Sequence, residues 1–124
     1  MKFLSIYKSI EHNTPPSQEE MAVMGKLVEE GFKAGFLVAT EGCLPSVLGA
    51  RVRRSNGKVT VTDGPFTETR EVVGGFAILE AKSKEEAIEI AKQFIQIAGD
   101  GECEIRQLYD AATCAPQASI AKSA

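Results

Sequence analysis

Twice in this sequence a serine stands three residues ahead of a glutamate at the head of a run with helical spacing. Ser17 with Glu20 opens one run and Ser83 with Glu86 the other. Each is a capping box, in which the serine oxygen accepts the N–H of the residue three places on. After Ser17, the residues Met21, Met24, Leu27 and Val28 recur at helical spacing, with Gly31 and Gly35 as stop signals. After Ser83, the residues Ala87, Ala91, Phe94, Ile95 and Ala98 line one helical face, and Gly99 suits the position just past a helix end. Strand-like segments flank both runs. Residues 2–8 alternate, with Phe3 and Ser5 facing away from Leu4 and Ile6, and 36–40 (FLVAT), 76–81 (FAILEA) and 102–108 (ECEIRQL) read as strands.

Two strand–helix–strand blocks in one chain restrict the architecture sharply. Split βαβ units that share one antiparallel sheet give a ferredoxin-like α+β layer with both helices on one face. Between the blocks lies a hairpin. Asn56-Gly57 is a type I′ turn signal between two alternating runs. A two-residue loop sets Ser55 opposite Lys58, Arg54 opposite Val59, Val52 opposite Val61 and Ala50 opposite Asp63. Alternation then gathers Ala50, Val52, Val61 and Asp63 on one face, and Arg51, Arg53, Thr60 and Thr62 on the other. The 124 residues suffice for one modest core and leave nothing to cover the sheet's second face. A homodimer packing sheet on sheet is the simplest cover. Residues 1–109 form the expected domain. Residues 110–124, rich in Ala, Ser and Thr, form an expected loosely ordered tail.

Residues 62–76, reading TDGPFTETREVVGGF, are longer and more charged than a strand connection requires. The run Asp63-Gly64-Pro65-Phe66-Thr67-Glu68-Thr69-Arg70-Glu71 resembles the DGPFAETKE signature of the DGPF-type, YCII-related proteins, with Thr67 in place of Ala and Arg70 in place of Lys. The resemblance spans nearly the whole domain, from the first strand ending near Tyr7, through Glu41-Gly42 and Leu44-Pro45-Ser46, to Gly74-Gly75-Phe76. It implies a ferredoxin-like subunit of a dimeric α+β barrel. Some relatives look to be encoded beside extracytoplasmic-function sigma factors, which implies a sigma-factor association. Other YCII-related proteins have a proposed His/Asp pair with the histidine in the first helix. Here that helix, QEEMAVMGKLVEEG, has no histidine, and Met24 falls near the expected place. A histidine-based mechanism therefore does not transfer by position.

Read on their own chemistry, the candidate site residues sort into three groups. Asp63 at a strand end and His12 in a Glu-His-Asn-Thr-Pro-Pro loop are the acid/base candidates. Asp63 serves equally as a turn cap, accepting backbone N–H groups. Tyr7, Glu41, Phe66, Glu68 and Arg70 are candidates for contact with a small, anionic ligand. Their bland counterparts are interface or core packing for Tyr7 and Phe66, and surface charge for the others. Gly64 and Pro65 break the ladder, while Gly74 and Gly75 suit a bulge or a close backbone approach. Arg51 and Arg53 fit either an anionic substrate or solvent. Cys43, beside the anion Glu41, is a poor nucleophile.

The net charge of −3 speaks against nucleic acid. No CxxC pair accompanies the three cysteines and one histidine, so no metal site is expected. No motif for flavin, haem or nucleotide is present, and no cofactor is expected. No segment approaches the roughly 20 apolar residues of a membrane span, and residues 1–16 lack a signal-peptide core. The expectation is a cytoplasmic homodimer, binding a small molecule with or without acid/base chemistry. The alternative is a non-catalytic regulatory or protein-interaction module.

Overall fold

In the computed structural model, which describes residues 1–12 and 14–109, the elements run β1 (Lys2–Ser9), α1 (Gln18–Ala34), β2 (Leu37–Gly42), β3 (Ala50–Ser55), β4 (Lys58–Asp63), β5 (Val72–Glu80), α2 (Lys84–Ala98) and β6 (Glu102–Gln107). The expected tail at 110–124 lies outside the described residues. A four-stranded antiparallel sheet in the order β2-β5-β1-β6 carries both βαβ blocks, and β3 pairs with β4 as a separate two-stranded ladder. This is the ferredoxin-like α+β arrangement with an inserted hairpin.

Both helices begin where their serines direct. The Oγ of Ser17 accepts the Glu20 N–H at 3.1 Å, and the Oγ of Ser83 accepts the Glu86 N–H at 3.2 Å. Gly35, in the left-handed region at φ 86°, closes α1. Gly31 does not stop the helix. It lies buried within it, because a Cβ there would come within 2.9 Å of the Phe36 ring and 3.0 Å of Leu37 Cβ. The helix thus sits tightly on the start of β2.

The core lies between the helices and one face of the sheet. Phe3 at 2% exposure, Leu79, Leu37 and Ala87 at 0% form its centre, with Val28 and Ile90 packed around them. Met21, which shares the helical spacing of Met24, Leu27 and Val28, is exposed. The register pairs Leu4 with Ile78 and Ile6 with Phe76. Alternation turns these four residues to the opposite face, which carries no helix. β5 begins at Val72, four residues before the expected start. The β1–β5 ladder runs through the glycine pair by a register shift, with Tyr7 opposite Gly75, Lys8 opposite Val73, and Gly74 as the extra residue.

The hairpin has the expected register throughout, and Asn56 (φ 51°) and Gly57 (φ 77°) occupy the left-handed conformations of its turn. All twelve strand residues of this arm are exposed.

Candidate functional site

The residues that follow β4 return to the body of the protein through one serine. Ser46, in a single 3-10 turn (Ser46–Leu48), is buried and bonded on three sides. Its backbone N–H donates to Glu11 Oε2 at 2.6 Å, its hydroxyl donates to Glu11 Oε1 at 2.8 Å, and its Oγ accepts the Phe66 N–H at 3.2 Å. The end of β1, the segment after β2 and the turn after β4 are thereby tied at one point. Gly64 completes the knot: its N–H donates to the Gly49 carbonyl at 2.9 Å, and a Cβ on it would overlap the Ser46 carbonyl oxygen. The Gly64–Pro65 peptide is cis. Thr69 closes the turn, its N–H and hydroxyl both directed at the Phe66 carbonyl.

Around this knot runs a groove in three connected parts. One, of about 710 Å³, lies between Leu44, Leu48, Arg51, Phe66 and Glu71. A second, of about 720 Å³, extends past Cys43, Leu44 and Val73 to Tyr7, Glu11 and His12. A third, of about 470 Å³, joins His12 to Arg70, Glu71 and Asp100. These sizes suit a small metabolite.

The candidate residues divide accordingly. His12, Arg70 and Phe66 line the groove. The Arg51 guanidinium lies 3.8 Å from the centre of the Phe66 ring and pairs with Glu68, which places Glu68 as the anchor of an arginine. Backbone hydrogen bonding and the bonded Arg51 hold the Glu68 carboxyl below its ordinary range. Tyr7 reaches the groove's wall, but its hydroxyl faces the carbonyls of Ala98, Gly99 and Asp100 at 3.4, 3.1 and 3.1 Å, and its ring meets Phe94 edge-on at 5.8 Å. Its place is at the C-terminal end of α2. Glu41 is exposed on β2 opposite Phe76 and is not among the residues lining the groove.

Asp63 departs most from expectation. It is exposed at the base of the arm and lines none of the three parts of the groove, because the arm's valine face lies uncovered within one chain.

Sequence reasoning overlooked Glu11, Ser46, Lys8 and Asp100. Glu11 and Ser46 are 35 positions apart, and no local pattern joins them. The free cation of the groove is Arg70, which makes no ion pair among the described residues. Lys8 is paired with Glu104 at 2.8 Å. Cys43 is exposed at the groove, and burial pushes the Cys103 thiol up against a smaller opposing effect of Ser5. Among the described residues no cluster of three or more His, Cys, Asp and Glu is arranged for a metal ion, and no helix is long and apolar enough to cross a membrane.

Residues 1–111 match the YCII-related domain. The chain is also 35% identical over 88 residues to the uncharacterized protein R00369 of Rhizobium meliloti (strain 1021), an alignment covering 70% of this chain and 68% of that protein.

Proposed function

The chain belongs to the YCII-related domain family, and on that footing we propose that it binds a small anionic molecule in the groove beside residues 63–71 and performs cofactor-free acid/base chemistry on it. The observation that carries this reading is the meeting of His12 and the unpaired Arg70 along one part of the groove, although 58 positions of sequence separate them. Arginine is suited to a carboxylate or phosphate through its planar fork of donors. Histidine can donate or accept a proton through its ring nitrogens, and Glu71 and Asp100 line the same part of the groove. Phe66, held under Arg51, supplies an apolar wall. Asp63 joins the site in a homodimer, where a second subunit covers the face on which it sits. The same homodimer buries Leu4, Ile6, Phe76 and Ile78.

A thermal-shift panel of small carboxylates and phosphate esters tests this. A ligand at about a hundred times its dissociation constant adds about 2.7 kcal/mol and raises the melting point by several degrees. The expected result is a shift with wild type that is lost in Arg70→Gln and reduced in His12→Gln and Asp63→Asn. A shift that survives undiminished in all three variants would place the ligand elsewhere.

A further inference from the structure

Charge is sorted along the groove. Its part of about 720 Å³ is lined by three carboxylates, Glu11, Glu20 and Asp100, and by no lysine or arginine. Glu11 is held in place by its two hydrogen bonds from Ser46. On the same wall, α2 ends with the carbonyls of Ala98, Gly99 and Asp100 gathered around the Tyr7 hydroxyl. A hydroxyl donates one hydrogen, so it cannot satisfy all three at once. A helix dipole is negative at this end and favours a cation there. The last turn of α2 supplies no basic residue, and Asp100, just beyond it, makes no ion pair among the described residues. A molecule that is only an anion finds repulsion here.

The neighbouring parts differ in character. The part of about 470 Å³ shares Ile10, His12 and Asp100 with the acidic one and adds the unpaired Arg70. Lys8 and Arg51, the other long cations lining the groove, are bound to Glu104 and Glu68. In the opposite direction the acidic part runs past Leu44 and Val73 into the part of about 710 Å³, which Leu48 also lines. Leu44, Leu48 and Val73 are 76%, 72% and 48% exposed, so apolar surface lies open there. An anion-binding arginine, a corner that favours a cation and an apolar stretch thus follow one another in a continuous groove.

We infer, resting on the anion site of the proposed function, that the ligand is an α-amino acid with a large apolar side chain. Its carboxylate meets the planar fork of Arg70. Its ammonium meets Asp100 and the carbonyls at the end of α2. Its side chain lies along Leu44 and Leu48. An α-amino acid carries its two charges on neighbouring carbons, which suits two parts of the groove that share His12 and Asp100. The ammonium also offsets Glu71, the second carboxylate lining the groove beside Arg70. A carboxylate without it faces both acidic side chains with nothing to balance them.

Isothermal titration calorimetry of the full chain with four compounds tests each contact by deletion. L-phenylalanine has all three groups, 3-phenylpropanoate lacks the ammonium, 2-phenylethylamine lacks the carboxylate and glycine lacks the side chain. L-phenylalanine is expected to bind at least about tenfold tighter than each of the others. Asp100→Asn, at an exposed position, should weaken L-phenylalanine about tenfold and leave 3-phenylpropanoate as tight or tighter, whereas Arg70→Gln should weaken both. The comparison of ligands on wild type holds even where a variant fails to fold, which circular dichroism would reveal. If 3-phenylpropanoate binds wild type as tightly as L-phenylalanine and depends on Arg70, the amino acid is wrong and the anion site stands. L-phenylalanine binding that neither variant changes also overturns it. So does silence from all four compounds at about 1 mM, and the proposed function falls with it only if the carboxylate and phosphate-ester panel is silent too. Leu44→Ser that leaves L-phenylalanine binding unchanged but alters the oligomeric state would give the apolar stretch to a second copy and overturn the side-chain contact.

Discussion

Ser46 is the residue on which the groove depends, because three segments meet at its amide and hydroxyl. Ser46→Ala leaves the half-buried Phe66 N–H and one Glu11 oxygen without their partner, at a cost of about 1 kcal/mol. Urea denaturation measures this, and a loss below about 0.5 kcal/mol would mean that water replaces the hydroxyl. Gly64→Ala is harsher, since the added carbon overlaps backbone that cannot swing aside. A loss of about 3 kcal/mol or failure to fold is expected. On the open side of the sheet, Lys8 and then Arg106 hold the Glu104 carboxyl below its ordinary value of 4.5. A lowered carboxyl stabilises the fold above that value, and the contribution is lost as pH falls through the folded pKa. Glu104 likewise raises Lys8 above 10.5, a contribution present below that value and lost as pH climbs past the raised one. The melting-point gap between wild type and Glu104→Gln should therefore be widest between these values and shrink at both ends. A gap that persists in strong acid would exclude the pair as its source.

Among the elements, the helices and the hairpin were legible because their signals are local. Ser17 and Ser83 name the helix starts through a contact three residues away, and Asn56-Gly57 fixes the arm's register without reference to the rest of the chain. The start of β5 was not legible. Gly74-Gly75 suits a bulge and the ladder has one there, but that the strand continues beyond it to Val72 shows only in the partner strand. Asp63 shows the same limit: alternation assigns its face, but whether that face is covered depends on distant or separate chain. Tyr7 joins β1 to α2 over more than 90 positions, a contact that no local pattern in the sequence announces. Tyr7→Phe should loosen the last turn of α2, raising hydrogen exchange there at a cost of about 1 kcal/mol. Unchanged exchange in that turn would leave the hydroxyl without a structural role.

At the scale of the whole molecule, a ferredoxin-like layer covers one sheet face with helices and leaves apolar side chains open elsewhere, among them Phe76 on the far sheet face, the valines of the arm and Phe32 on α1. The groove is walled by the β1 end, the Ser46 turn and residues 66–73. A site at such a junction draws residues from distant parts of the chain, as His12 and Arg70 illustrate. It also leaves Cys43 reachable while Cys103 is half-buried with a raised thiol pKa. Alkylation followed by mass spectrometry should modify Cys43 before Cys103, and a bound anion in the groove should slow it. The most direct test of the account is an amide NMR titration of the wild-type protein with the anion that gives the largest thermal shift. The account requires the perturbed amides to concentrate at residues 8–12, 43–49 and 66–73. Perturbations confined to the outer helix faces, or scattered without saturation, would contradict it.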